Sequence, residues 1–261
     1  MKMYALKKEI IKNSKVRSKA QFDEDLFLLK IFQNKLDGIL VDVGANDGEY
    51  GSNSALLETI GWKCILIEPN LALCEKIQSV RNPYKLFQFA ASSKDADVVL
   101  YQVDGGVLSH GLSTLELNSE NRQRIEVNNF TYQEKKVRSR TLDSMLLESD
   151  VKSLDVVSID VEGHELEVLK GISIEKWLPR IFIIEDNSTF ISDEISSYMK
   201  SKNYFRFFRT GVNDWYAHKN DRELVNCSNK LYYQLCKYLL ITKLKLSKVN
   251  YIKRTVKSIF K

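Results

Sequence analysis

An α/β fold built on a doubly wound, mostly parallel sheet is what this sequence predicts, from three observations. Short apolar runs, among them Gly38 to Val43, Cys64 to Ile67 and Leu154 to Ile159, contain or run into acidic residues, as parallel strands buried on both faces do before a loop. Segments with three- and four-residue apolar spacing separate these runs, as crossover helices would. At 261 residues, 44% hydrophobic and with three prolines, the chain can bury one such domain with modest additions.

Helical spacing over 3–13 and over 22–33, where Phe22, Leu26, Leu29 and Phe32 recur, leads into a first strand over 39–43. A helix over 52–60, a second strand over 64–68, a helix over 71–80 and a third strand over 85–89 follow. Three βα units in succession place a ligand outside the carboxyl ends of the strands. After Ala90-Ala91 the pattern changes. Residues 98–103 and 132–140 alternate, and Gly105 to Thr114 is rich in glycine and small polar residues, which predicts an inserted antiparallel hairpin whose long loop could close over the site. A short helix from Thr141, a fourth strand over 154–159, a helix over 163–170 and a fifth strand over 180–184 restore the parallel pattern. A helix near 192–200 and an antiparallel edge pair, 204–208 and 215–218, complete a seven-stranded Rossmann-like sheet, with Tyr204 to Phe208 as a core strand. The chain thus divides into a helical extension (1–36), the sheet domain (37–222) and a basic tail (223–261).

The loop Asp42-Val43-Gly44-Ala45-Asn46-Asp47-Gly48 carries the first chemistry. Glycine lets a ligand approach the backbone and leaves loop N–H groups free to donate. The middle glycine of the Gly-x-Gly-x-x-Gly pyrophosphate fingerprint is missing, which disfavours a nicotinamide oxidoreductase. A ligand with a carboxylate, an ammonium and a ribose but no phosphate fits better, with Asp42 and Asp47 toward the ammonium. Glu68, 26 residues beyond Asp42, lies near the interval at which an acid at the second strand tip accepts both ribose hydroxyls. Together these residues suggest S-adenosylmethionine. Gly44, Asn46, Asp47 and Gly48 would hold its methionyl part, Glu68 the ribose and Ala90 the adenine, with Asn53 and Pro69 also at the cofactor.

With those residues in view, the chain resembles the FkbM family of S-adenosylmethionine-dependent methyltransferases. The resemblance includes Val41 to Gly48, Ser52-Asn53-Ser54, Gly61-Trp62, Ile67-Glu68-Pro69-Asn70 and, most specifically, Ser158-Ile159-Asp160-Val161-Glu162-Gly163-His164-Glu165-Leu166-Glu167-Val168-Leu169-Lys170-Gly171. It spans residues 20–218 and implies O-methylation, commonly of sugar or polyketide hydroxyls.

Methyl transfer from a sulfonium needs in-line alignment and removal of the hydroxyl proton, and an alcohol does not ionise unaided at neutral pH. His164, Glu162 and Asp160, at the start of one helix, are the candidate catalytic groups. Of the three histidines, only His164 stands in a carboxylate cluster, with Asp160, Glu162 and Glu165 beside it, and such neighbours raise imidazole basicity. Asp160 and Glu162 suit N-terminal caps of the same helix equally well, and His164 a surface position. Asp160, Asp186 and Asn187, ending the fourth and fifth strands, form a hard oxygen set for Mg²⁺, Mn²⁺ or Fe²⁺, similar to the metal site of catechol-type O-methyltransferases. Whether a metal is required stays open.

Cys64, Cys74, Cys227 and Cys236 have no Cys-x-x-Cys spacing, so neither zinc nor disulfides are expected and a reduced cytoplasmic setting is the default. The net charge of +5 conceals an asymmetry: seven Lys/Arg against one Glu over 1–20, nine against none over 230–261, and 23 against 33 acids between. An acidic body disfavours nucleic acid. No apolar run reaches the length of a membrane span, and the N-terminus lacks the core of a signal peptide. The tail interleaves Lys243, Lys245, Lys248, Lys253, Arg254 and Lys257 with apolar residues, which suits peripheral contact with an anionic membrane or packing on the acidic body of its own or a neighbouring subunit in a homo-oligomer. Arg122, Arg124, Lys135, Lys136, Arg138 and Arg140 border the insertion. If they face the pocket they suit a phosphate, as on a nucleotide-linked sugar or a phosphorylated glycan, and with the sugar O-methylation that the resemblance implies, a small-molecule sugar, nucleotide-linked sugar or surface glycan is the expected acceptor; they equally suit a charged, solvated hairpin edge. The rival readings are a non-catalytic S-adenosylmethionine-binding scaffold and a methyltransferase acting on a non-sugar hydroxyl.

Overall fold

In the computed structural model, the described residues are 17–33, 35–106, 109–188, 193–229, 231 and 233. The helix expected over 3–13, most of the basic tail and Cys236 lie outside them. The strands are β1 (Ile39–Val43), β2 (Lys63–Ile67), β3 (Lys85–Phe87), β4 (Ala90–Ala91), β5 (Ala96–Asp104), β6 (Thr131–Arg140), β7 (Val156–Ile159), β8 (Ile181–Glu185), β9 (Tyr204–Thr210) and β10 (Asn213–His218). The helices are α1 (Glu24–Ile31), α2 (Ala55–Thr59), α3 (Leu71–Val80), α4 (Ser119–Val127), α5 (Leu142–Glu148), α6 (Glu165–Lys170), α7 (Ile174–Trp177) and α8 (Glu194–Ser201).

Seven strands form one sheet in the order β3-β2-β1-β7-β8-β10-β9. The first five run parallel, and β10 lies antiparallel between β8 and β9. Side chains alternate between two cores. Val41, Val43, Ile65, Ile67, Val157 and Ile159 pack with α5, α6 and α8 on one face, and Leu40, Cys64, Leu66, Val156 and Trp215 pack with α1, α2 and α3 on the other. Burial on both faces explains why these strands are apolar without interruption. The order reverses between β1 and β7, and at such a switch the strand tips leave a crevice.

The hairpin of β5 and β6 is antiparallel over nine residue pairs and joins β4 in a separate three-stranded sheet. Its connection is not a plain loop: it holds a single 3-10 turn (Ser109–Leu112) and α4, the latter capped by Asn118, whose side chain accepts from the Asn121 amide. The residues read as an extension are in their described part joined to the body. Phe27, Leu28 and Ile31 of α1 share a core with Trp215, and buried Glu24 accepts hydrogen bonds from Thr210 Oγ1 (2.6 Å) and Asn213 Nδ2 (2.9 Å). Cys64 and Cys74 are buried free thiols and Cys227 is an exposed one. Among the described residues no helix is long and apolar enough to cross a membrane.

Candidate active site

The tips of β1, β2, β7 and β8 and the connection between β5 and β6 enclose a cavity of about 370 Å³, within the usual range for a small-molecule site. Gly44 follows β1 with φ +81°, and a Cβ built there would stand 1.8 Å from the carbonyl oxygen of Asp160. Glycine is therefore demanded by the contact between the β1 and β7 tips as well as by the turn. Asn46 also has positive φ, and its amide donates to Glu68 Oε2 at 3.0 Å while the Asn70 amide donates to Oε1 at 2.9 Å. Burial pushes the Glu68 carboxyl up to about 7 against the pull of these two amides.

Asp42 is buried, which raises its pKa, and accepts a hydrogen bond from Ser54 Oγ at 2.6 Å. Asn53 donates to Ser158 Oγ at 2.9 Å. Pro69 and Ala90 line the same wall beside Phe89 and Leu100.

Two residues assigned to the cofactor from sequence stand behind the loop instead. Asp47 accepts from the amides of Glu49 and Tyr50 at 2.9 Å and from Lys76 Nζ at 2.7 Å, so it closes its own turn. Gly48 backs onto Ile77 of α3, where a Cβ would come within 2.8 Å.

Opposite, Asp160 at the tip of β7, Glu162 in the following turn and Glu185 at the tip of β8 each bring a carboxylate oxygen within 4.8 Å of the other two. Unit charges about 5 Å apart repel by about 3 kcal/mol at an effective dielectric of about 20. Burial is the first cause that raises all three carboxyls; repulsion from Asp160 adds to it at Glu162 and Glu185, and repulsion from Glu165 at Asp160, although Asp160 remains open to the cavity itself. Arg124 of α4 reaches in and pairs through both terminal guanidinium nitrogens with Glu162, Nη2 at 3.2 Å from Oε1. Glu162 holds φ +55°, uncommon for a side-chain-bearing residue, and its carbonyl accepts from Thr114 Oγ1 at 2.8 Å and Asn121 Nδ2 at 2.9 Å. The insertion therefore grips the turn through backbone and side chain alike.

His164 lines the cavity as well, but its partners differ from those read in the sequence. Nδ1 lies 2.7 Å from Glu116 Oε1 and Nε2 lies 3.0 Å from Ser92 Oγ. An ionised carboxylate only accepts, so in neutral imidazole Nδ1 carries the proton and Nε2 accepts from the Ser92 hydroxyl. The alternative reading, Asp160 and Glu162 as caps, is not seen: no side chain caps α6, and Glu165 Oε1 instead accepts from the amides of Gly163 (2.9 Å) and Val161 (3.3 Å) in the turn before the helix.

The metal set inferred from sequence is not brought together. Asn187 lines the cavity, but Asp186 does not: its carboxylate accepts from the amide of Ser188 at 3.0 Å and from the Ser188 hydroxyl. Successive side chains leave a strand on opposite sides, so Glu185, not Asp186, joins Asp160. Of the basic group beside the insertion, Arg124 enters the site, while Arg138 faces Asp97 and Arg140 pairs with Glu148 at 2.7 Å. Glu116, Ser92, Thr114 and Asn121 gave no local signal beyond the spacing that puts Asn121 and Arg124 on one helix face.

Four buried polar atoms at this cavity, Asn46 Oδ1, Asn53 Oδ1, His110 Nδ1 and Glu185 Oε2, have no hydrogen-bond partner among the described residues. Unpaired buried polar atoms are costly, and their convergence marks a surface built for a polar ligand.

A parallel sheet in this order, with a glycine turn after β1, an acid at the tip of β2 and the cavity between them, defines a Rossmann-like domain of the class I methyltransferase type. The family described as the methyltransferase FkbM domain matches residues 42–206, and the chain belongs to that family. Similar solved structures include methyltransferase FkbM from Methylobacillus flagellatus KT (17% identity, 70% of this chain and 44% of that one, TM-score 0.45). A putative RNA methyltransferase from Pyrococcus horikoshii (12%, 75% and 82%, 0.35) and M. capricolum TrmK in complex with S-adenosyl-homocysteine (12%, 74% and 68%, 0.36) are others. The match spans less than half of the first of these chains. No curated protein sequence matches this one.

Proposed function

We propose that this protein is an S-adenosylmethionine-dependent O-methyltransferase acting on a hydroxyl of a sugar, free, nucleotide-linked or within a surface glycan. The observation that carries the reading is the single cavity with two unlike walls, Asn46 and Glu68 on one and His164 with the Asp160, Glu162 and Glu185 carboxylates on the other.

The first wall fits the cofactor. The unpartnered oxygens of Asn46 and Asn53 suit its ammonium, Glu68 the ribose hydroxyls, and Pro69 and Ala90 flank the base. S-adenosylmethionine supplies a methyl group on a sulfonium. His164 Nε2 takes the acceptor's proton at the position where it now accepts from Ser92, and Glu116 steadies the resulting imidazolium. Asp160 and Glu162 hold the hydroxyl for in-line attack. Only Arg124 of the basic group faces the cavity, and it is paired, so a phosphate on the acceptor stays outside while the sugar ring enters.

The test is release of S-adenosylhomocysteine from purified protein with labelled cofactor and a panel of sugars and nucleotide sugars. Sugar-dependent release is expected. Calorimetric cofactor binding with release from non-sugar alcohols alone would replace the sugar by another hydroxyl; binding with no release from any acceptor would favour the scaffold.

A further inference from the structure

We propose that Asp160, Glu162 and Glu185 together bind one divalent cation of the Mg²⁺ or Mn²⁺ kind on the acceptor wall of the cavity. Its purpose, to polarise the acceptor hydroxyl, rests on the methyltransferase reading above; its binding does not.

Three lines of geometry carry this. One oxygen from each carboxylate already lies within 4.8 Å of the other two, and oxygens coordinating a common ion at about 2.0–2.6 Å stand no more than about 5 Å apart. Glu185 is only 6% exposed, and its Oε2, at the same cavity, has no hydrogen-bond partner. A buried carboxylate oxygen left without a donor is the kind of atom a cation satisfies. Finally, the fixed charges do not balance. Arg124 is the guanidinium in contact, and it is turned to Glu162, while Asp42 and Glu165 add to the negative field around Asp160. An all-oxygen carboxylate set favours Mg²⁺, Mn²⁺ or Ca²⁺ over zinc. Asn187 hydrogen-bonds Glu185 and orients it.

Electron paramagnetic resonance of Mn²⁺ titrated into the full chain, without cofactor or acceptor, tests the site. Loss of the free-ion signal at one Mn²⁺ per chain, reversed by Mg²⁺, is expected. Glu185→Gln should weaken uptake about tenfold or more, whereas Asp186→Asn should leave it unchanged. Without metal, Glu185→Gln should melt no lower than the native chain, and Mn²⁺ should raise only the native melting temperature; a Glu185 serving structure alone would give a lower melting temperature instead. If Glu185→Gln does not fold, Asp160→Asn serves in its place. No Mn²⁺ uptake, or equal uptake by the native chain and both carboxylate variants, overturns the proposal. Mn²⁺ uptake without methyl transfer to any acceptor would refute the enzymatic reading and leave the ion site standing.

Discussion

The carboxylate of Glu116, carried by the insertion between β5 and β6, lies 2.7 Å from Nδ1 of His164, at the start of α6 and 48 residues further along the chain. The contact sets the imidazole tautomer and leaves Nε2 as the basic nitrogen at the cavity. His164→Ala should lower kcat about 100-fold, and Glu116→Gln about tenfold, with cofactor affinity by calorimetry unchanged in both. Steady-state kinetics with an active acceptor checks this. Full activity in His164→Ala would assign the proton to another group.

If Glu68 holds the cofactor ribose as proposed, it ties cofactor binding to pH. Its carboxyl is pushed up to about 7 by burial, and a carboxylate accepts hydroxyl donors best when ionised. Cofactor affinity should therefore rise from pH 6 to pH 8, and Glu68→Gln should bind weakly with a flat profile. Stability runs the other way. Between the ordinary value of 4.5 and about 7 the folded chain holds a proton that the unfolded chain has lost, so the apoprotein loses stability as pH rises through that window. Thermal melts between pH 4.5 and 7.5 should show this slope, reduced in Glu68→Gln.

Gly44→Ala should be severe. Its Cβ would fall 1.8 Å from the Asp160 carbonyl oxygen at a φ of +81°, so β1 or β7 must shift. A loss of about 3 kcal/mol or more is expected from urea unfolding, together with loss of cofactor binding. Gly51→Ala, whose Cβ would meet nothing nearer than 4.0 Å but shares a positive φ, should cost about 1 kcal/mol.

The described residues before β1, α1 among them, belong to the folded body. Glu24→Ala should cost about 2 kcal/mol, because Thr210 and Asn213 lose their buried acceptor. A chain starting at residue 37 would uncover Trp215 and should be insoluble or molten, as near-ultraviolet circular dichroism would report.

Much of this protein is legible in its sequence. The parallel strands announced themselves as uninterrupted apolar runs, because strands buried on both faces need no polar alternation. Gly44, Glu68 and the Asp160 to Gly171 motif marked the cavity, since tight turns and strand tips impose local residue types. Tertiary structure alone decided which neighbours reach the site. Whether Glu185 or Asp186 faces Asp160 depends on one residue of strand parity, and a run of adjacent acids hides that parity. Asp47 turned out to close its own loop, and Arg124, Thr114, Asn121 and Glu116 arrive from an insertion distant in sequence. Period and propensity act over a few residues, so they prescribe elements and turns. The partners of His164 and Glu162 are set by how separate elements pack, and no short stretch of chain encodes that.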